Sequence, residues 1–156
     1  MKITDNRYRE YFFALRRVNT LHRSFGFGRS PDIPSGFSES LARHLLNLNV
    51  GTDRTHDAID RDGRRCEIKA TGSPEGKTTI SNNNEFEDLI WLYFDFERCS
   101  LHVHRIPRAL FQLSGKGGRS SISLSAVARS NGITADVFTF DIMDQDPLVD
   151  ESRAHE

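Results

Sequence analysis

The sequence contains few cysteines and no long hydrophobic run, and both shortages exclude classes of protein. Only two cysteines, Cys66 and Cys99, occur in 156 residues, and they lack the CxxC spacing of zinc and redox motifs. No segment approaches the roughly 18 consecutive apolar residues of a membrane-spanning helix, and no signal-peptide pattern opens the chain. We therefore expect a soluble, cytoplasmic protein that has no membrane partner and whose cysteines are small core residues.

The chain also has almost no net charge, −1 at pH 7, but the charge is unevenly distributed. Residues 1–30 carry seven Lys and Arg against two acids, whereas residues 136–156 carry seven acids against one Arg. A basic segment can follow a phosphate backbone, although a solvated helix face and an acidic tail explain the same pattern. The 37% apolar content suits one hydrophobic core. We predict a single domain over residues 1–144 and a mobile acidic tail over residues 145–156.

Hydrophobic periodicity predicts two helices ahead of a set of strands. Apolar residues recur at three- and four-residue steps from Tyr8 to Val18, and again in a helix that starts near Ser38, where Ser38 is the expected cap. A glycine- and proline-rich loop over residues 25–35 separates them. Strands are predicted at residues 56–60, 64–70, 89–96, 101–106, around 122–124 and at 137–140. Short helices are expected after Pro107 and after Ser125, which is the expected cap, with a polar loop over residues 71–84 and a glycine-rich loop over residues 116–119. This order predicts an α+β, α/β/α-like domain with a central mixed β-sheet flanked by helices.

The densest chemical signal lies in the hairpin predicted over residues 56–70. Its turn ends at Gly63, which can adopt the left-handed backbone conformation. Glu67 and Lys69 share one face of the second strand because they are two residues apart. A three-residue loop with a bulge at the glycine places Asp57 opposite Glu67, whereas a two-residue turn would put Asp57 on the other face. The predicted site therefore depends on that loop.

Two carboxylates and one ammonium group held together in this way suit a hard divalent cation. Oxygen ligands favour Mg²⁺, or Mn²⁺ as a substitute, over zinc. Lys69 can orient an attacking water or stabilise charge on a phosphate. Phosphodiester hydrolysis fits this set of groups. The alternative is a surface hairpin that carries an ordinary ion pair between Glu67 and Lys69.

The string from Asp57-Ala-Ile-Asp60 through Glu67-Ile-Lys69 resembles the active-site hairpin of the PD-(D/E)xK nuclease superfamily, and in particular that of small type II restriction endonucleases. The close match covers about a tenth of the chain, and the order of elements over residues 37–105 is more loosely similar. The resemblance implies a restriction-endonuclease-like fold. It also implies that Asp57 and Glu67 bind the metal ion and that Lys69 assists the attacking water. A histidine, His56, stands where the superfamily motif has proline.

The same resemblance implies further site residues. Superfamily members often add an acidic ligand from the preceding helix, and Glu39 stands in that place, although favourable helix-start electrostatics explain it equally well. The segment beyond the second hairpin strand is expected to approach DNA. A polar loop that caps the following turn would have the same composition. The residues predicted to contact nucleic acid are Lys77, Asn82, Asn83 and Asn84.

These observations together predict a Mg²⁺-dependent endonuclease that hydrolyses phosphodiester bonds of double-stranded DNA, as a type II-like restriction enzyme with a short symmetric site. One small chain carries one centre, so cutting both strands predicts a homodimer. No small-molecule organic cofactor is expected. Two alternatives stay open. The first is a repair or defence nuclease that recognises DNA structure, and the second is a catalytically silent nucleic-acid-binding module.

Overall fold

The computed structural model describes residues 1–113 and 117–142, in which two helices lead the chain and a mixed sheet follows. The predicted acidic tail and part of the glycine-rich loop near residue 116 lie outside the described residues. The elements are β1 (Lys2–Ile3), α1 (Asn6–Phe25), α2 (Ser35–Leu46), β2 (Asn49–Val50), β3 (Ala58–Ile59), β4 (Arg65–Thr71), β5 (Lys77–Ser81), β6 (Asp88–Asp95), β7 (Ser100–Pro107), a 3-10 turn (Arg108–Leu110), β8 (Arg119–Ser123), α3 (Leu124–Ser130) and β9 (Asp136–Phe140).

Within the described residues, seven strands form the central sheet in the order β1-β9-β7-β6-β4-β3-β2. The sheet is mixed, because β4 and β6 run parallel whereas β6 and β7 run antiparallel. Strands β5 and β8 form a separate antiparallel ribbon. The α+β class, the mixed central sheet and the flanking helices are therefore as predicted, in a restriction-endonuclease-like arrangement. No helix in the described part of the chain has the length and apolar character needed to cross a membrane.

The central strand β6 divides the apolar residues into two buried clusters. Its alternate side chains Ile90, Leu92 and Phe94 join the cluster that contains helices α1 and α2. Leu89 and Trp91 face the other way and pack with residues of α3 and of the β5–β8 ribbon. Burial on both faces explains why the sequence of β6 is almost continuously apolar, as predicted. The sheet is thus held between the two leading helices and the ribbon with α3.

Two predicted helix caps are wrong. Helix α2 begins at Ser35 with Pro34 at its cap position, and the Ser38 hydroxyl donates to the carbonyl oxygen of Ser35 at 3.3 Å. Helix α3 is capped by Ser123, whose hydroxyl accepts from the backbone N–H of Ala126. The observed caps lie earlier than the predicted ones, Pro34 four residues before Ser38 and Ser123 two residues before Ser125. Both helices therefore start sooner than the apolar periodicity indicates.

The strand β5 is the main element that the sequence did not predict. A polar loop was expected over residues 71–84, but Lys77–Ser81 pairs residue by residue with β8, for example Thr79 with Ser121. Only Ile80 in this strand is fully buried. Backbone pairing with a distant segment therefore forms the strand despite its polar composition, and such pairing leaves little signal in local sequence.

A network of charges fastens the tip of the hairpin to β6 and β7. The Asp88 carboxylate, whose residue is 3% exposed, accepts hydrogen bonds from Arg64 Nε at 2.8 Å and Arg64 Nη2 at 2.9 Å, and from Arg105 Nε at 3.0 Å. Arg105 also donates to Asp60 at the base of the turn. The bonds from Arg64 and then Arg105 hold the pKa of Asp88 below its ordinary value, although burial opposes them.

The Asp88→Asn substitution is expected to lower the free energy of unfolding at pH 6 by about 1 to 3 kcal/mol, because two arginines lose a charged partner. The folded-state pKa of Asp88 is depressed, so its contribution is complete above the unfolded value of about 4 and is lost as pH falls through the folded value. Urea unfolding at pH 6 and pH 3 should therefore show the difference between wild type and variant shrinking in acid. An equal difference at both pH values, or an equal effect of the exposed control Asp136→Asn, would contradict this account.

Candidate active site

The hairpin has the predicted register. Ala58 pairs with Cys66 and Ile59 with Arg65, and the backbone N–H of Asp60 donates to the carbonyl of Arg64 at 3.0 Å. Gly63 closes the three-residue loop with a φ of 77°, a conformation that glycine adopts without strain. The turn chemistry thus brings the residues before β3 alongside the middle of β4.

Asp57 lies just beyond the end of the ladder, and its detailed pairing differs from the prediction. Its backbone N–H donates to the carbonyl of Cys66 at 2.9 Å, so it does not pair directly with Glu67. Its Oδ2 accepts from the backbone N–H of Ile68 at 2.8 Å. Because β3 begins only at Ala58, the side chain of Asp57 bonds a β4 amide that a longer β3 would have paired. The carboxylate is thereby fixed beside Glu67.

The loop that carries Asp57 is tightly anchored. The side chain of His56 is buried, and its Nε2 accepts from the backbone N–H of Thr52 at 3.2 Å. The N–H of Gly51 donates to the carbonyl of Asp57 at 3.1 Å. A Cβ atom at Gly51 would lie 2.5 Å from the carbonyl oxygen of His56, so only glycine fits there. His56 thus packs and bonds the loop at the position where the superfamily motif has proline.

Glu67 is a buried acid with incomplete charge compensation. The residue is 5% exposed, its Oε1 lies 3.5 Å from Lys69 Nζ, and its Oε2 accepts from Asn84 Nδ2 at 3.3 Å. Burial and then the negative charge of Asp57 raise the pKa of Glu67 to about 7, against the opposing effect of Lys69. Two carboxylates and one ammonium group are therefore together, as the sequence predicted, and the acids outnumber the base.

Glu39 reaches the edge of this group from α2. Burial and the charge of Asp57 raise the pKa of its carboxyl, and Arg43 and Lys69 lower it. Its Oε2 lies 4.0 Å from Nη1 of Arg43, one turn further along α2. Within residues 1–113 and 117–142, no three acidic, histidine or cysteine side chains converge as a ready-made metal-ion cage. Glu39 is thus near Asp57, but Glu39, Asp57 and Glu67 do not form a three-acid metal site.

The residues predicted to contact nucleic acid are not equivalent. Lys77 lies on β5 with its side chain 74% exposed, and its Nζ is 3.6 Å from Glu75. Asn83 is exposed. Asn82 accepts a hydrogen bond from the Ser120 hydroxyl at 2.8 Å, which ties it to the ribbon. Asn84 is directed inward to Glu67.

A cavity of about 710 Å³ opens next to the carboxyl end of β4. Its wall includes Ala70 and Thr71, which directly follow Lys69, and Lys77 of β5. Most of its polar lining residues carry hydroxyl groups, and its charged ones are Lys77 and the ion pair of Arg29 with Asp32 at 2.7 Å. Helix α1 contributes apolar side chains to the wall. The lining residues that the sequence did not single out include Arg29, Ser30, Thr71, Ser73, Thr79 and Ser121. The alternation of Lys77, Thr79 and Ser81 was the available signal, since a period of two places them on one face of a strand.

The model of the Bsp6I restriction endonuclease family matches residues 3–113. The chain belongs to this family. The matched span includes both leading helices, the hairpin with Asp57, Glu67 and Lys69, the ribbon strand β5, and the central strands β6 and β7. The predicted resemblance to small type II restriction endonucleases is confirmed, and the protein is a nuclease of the type II-like class that acts on DNA. No curated protein matches the chain.

The Glu67→Gln substitution is expected to stabilise the metal-free protein at alkaline pH. The folded-state pKa of Glu67 is raised to about 7 from 4.5, so the acid destabilises the fold as pH rises from about 4.5, and the full effect is present above about 7. A tenfold change in proton affinity corresponds to about 1.4 kcal/mol, so the gain in the free energy of unfolding is at most about 3 kcal/mol. Urea unfolding in EDTA at pH 5 and pH 8 measures it.

The exposed acid Glu10 provides the control, because Glu10→Gln should leave the free energy of unfolding unchanged at both pH values. A Glu67→Gln protein that is no more stable than wild type at pH 8 would show that the buried carboxylate is compensated, contrary to this description.

Proposed function

We propose that the chain is a Mg²⁺-dependent endonuclease, with Mn²⁺ as a substitute ion, that hydrolyses double-stranded DNA at a short symmetric site. The family supplies the reaction class. The observation that carries the remainder is the buried Glu67, held next to Asp57 and Lys69 on the strand whose last two residues line a cavity. We place this activity in a single domain over residues 1–144 that acts in the cytoplasm, with residues 145–156 as a tail.

The residues present fit a magnesium ion. Two nearby carboxylates raise each other's cost of ionisation, and a divalent cation between them removes that cost. Magnesium commonly takes only one or two protein carboxylates and completes its shell with waters and substrate phosphates, so Asp57 and Glu67 would suffice to hold it. Glu39 would add charge from α2. When bound, the ion supplies positive charge that offsets the charge developing on the scissile phosphate.

Lys69 is proposed to act on the substrate side of this pair. Its Nζ lies 3.5 Å from Glu67 Oε1, and its ammonium group has three N–H donors. One donor can stay on Glu67 while another orients the water that attacks phosphorus or binds a non-bridging phosphate oxygen. In hydrolysis the water oxygen bonds to phosphorus and gives up one proton to solvent. The bond to the leaving sugar oxygen breaks, and that oxygen takes up a proton from solvent. Asp57 needs no movement in this scheme, because Ile68 holds its carboxylate.

The cavity supports DNA as the occupant of the adjoining surface. Thr71 shares a face of β4 with Glu67 and Lys69, so the cavity wall continues the line of the proposed catalytic residues. Lys77 and Arg29 can neutralise phosphates, whereas Thr79 and Ser121 lie side by side in the ribbon register and carry hydroxyls that can bond to phosphates or base edges. A two-stranded ribbon fits the width of a DNA major groove.

Two copies of the chain are proposed to act together. Each chain supplies one Asp57, Glu67 and Lys69 set, and a symmetric DNA site presents two equivalent phosphodiesters. A homodimer with a two-fold axis would therefore cut both strands in one binding event.

The Glu67→Gln and Asp57→Asn variants are expected to lose cleavage of unmodified phage DNA by at least about 100-fold, because loss of a metal-ion ligand removes several kcal/mol of charge stabilisation. Lys69→Ala should lose about 100-fold or more through the missing donor. Gel analysis in Mg²⁺, with EDTA as a blank, measures the rates. Wild type should give discrete fragments.

The matched control is Asp62→Asn, an acid at the exposed tip of the same hairpin, which should cut at the wild-type rate. In mixtures of wild type and Glu67→Gln protein, mixed dimers should nick circular DNA. Full activity of Glu67→Gln would refute the site, a smear of products would indicate a structure-directed nuclease, and linear product alone from mixtures would refute the paired arrangement.

Lys77→Ala is expected to weaken DNA binding on the order of 5- to 10-fold at low salt and to lower the slope of log affinity against log salt by about 1, because one phosphate contact is lost. Binding is measured by fluorescence anisotropy in Ca²⁺, which should permit binding without turnover. Lys2 is the control, since its side chain is 72% exposed and is also paired with an acid, but it lies on the far edge strand. Equal effects of Lys77→Ala and Lys2→Ala would remove Lys77 from the DNA surface.

A further inference from the structure

The turn between β5 and β6, residues 81–85, is fixed by backbone contacts on both sides. The N–H of Asn84 donates to the carbonyl of Ser81 at 3.2 Å. The carbonyl of Asn84 accepts from the guanidinium of Arg108, which also lies over the ring of Phe86 at 4.6 Å. These contacts do not involve the Asn84 side chain. The turn therefore sets the direction of that side chain without depending on it.

The side chain of Asn84 completes the surroundings of the Glu67 carboxylate. Nδ2 of Asn84 lies 3.3 Å from Oε2 of Glu67, whereas Lys69 Nζ lies 3.5 Å from Oε1. Each carboxylate oxygen thus faces a different donor, from a different element. A carboxylate with both oxygens held in this way has little freedom to rotate, and the remaining lone pairs keep a defined direction.

The same turn also reaches the loop that carries Asp57. The N–H of Glu85 donates to the carbonyl of Thr55 at 3.1 Å, two residues before Asp57. At its other end the turn is bound to the ribbon, because the N–H of Asn82 donates to the carbonyl of Gly118 at 2.9 Å. This short turn therefore contacts the Glu67 carboxylate, the loop that carries Asp57, and the chain next to the ribbon proposed to hold DNA.

We propose that Asn84 is a positioning residue that orients the Glu67 carboxylate for metal binding. This inference rests on the proposed function and adds a residue to its machinery. In this proposal the Asn84 amide donates to Glu67, and Lys77 and the exposed Asn83 contact DNA. Hydrogen-bond partners of metal-ligating carboxylates affect metal affinity or activity by about 10- to 100-fold when they are removed. Asn84 is expected to act within that range.

The test compares Asn84→Ala with Asn131→Ala, which changes an exposed asparagine after α3, away from the site. Mn²⁺ binding by electron paramagnetic resonance, without DNA, should be about 10- to 100-fold weaker in Asn84→Ala and unchanged in Asn131→Ala. The Mg²⁺ concentration for half-maximal cleavage should rise by a similar factor. DNA affinity in Ca²⁺ should stay within about twofold of wild type, since a positioning residue does not contact DNA. Asn84→Leu, which keeps the size but removes the donor, should behave like Asn84→Ala and provides a second variant if the alanine protein fails to fold.

The outcomes separate this inference from the proposed function. A wild-type protein that neither binds Mn²⁺ nor cuts DNA refutes the proposed metal-dependent nuclease itself. An active wild type with unchanged Mn²⁺ binding and cleavage in both Asn84 variants overturns the inference alone. Unchanged Mn²⁺ binding with lost DNA affinity would also overturn it, because Asn84 would then act on DNA.

Discussion

The hydrogen bond between the Asp57 carboxylate and the backbone N–H of Ile68 is the contact on which the site depends. It forms because β3 is only two residues long, so β4 continues beyond its partner with an amide that needs an acceptor. The acceptor is supplied by a charged side chain, at 2.8 Å. This hydrogen bond gives the Ile68 amide an acceptor, and it also places a negative charge next to the buried Glu67. Extending β3 by a further pair would give the Ile68 amide a backbone acceptor, and the Asp57 carboxylate would then lose the bond that fixes its position.

Local sequence was sufficient to predict the hairpin because its determinants are close together. Gly63 fixes the loop length, the loop length fixes the register, and the register brings Asp57, Glu67 and Lys69 to one place. The central strand β6 was equally accessible, since burial on both faces leaves an uninterrupted apolar run. The residues that determine each of these elements lie within about ten residues of one another in the chain.

The ribbon and the surroundings of Glu67 could not be predicted in the same way, because they depend on segments far apart in the chain. Thr79 pairs with Ser121, 42 residues later, and neither residue carries an apolar pattern. Asn84 was placed with the DNA-contacting residues because an Asn-rich polar run indicates hydrogen bonding without indicating the partner. Its bond to Glu67 spans 17 residues and depends on Arg108, which fixes the backbone of the turn. Side-chain direction in a turn follows from such tertiary contacts rather than from composition.

The tip of the hairpin and the middle of β4 place buried acids in two different electrostatic environments. At the tip of the hairpin, Arg64 and Arg105 surround Asp88 and Asp60, and the pKa of each acid is lowered. Further along β4 burial and a neighbouring acid prevail, and the pKa of Glu67 is raised. Asp88 and Glu67 are both buried, so burial alone does not distinguish them. The difference is the number of cations within reach, and a shortage of cations around buried carboxylates is the condition under which a divalent metal ion binds with a gain in stability.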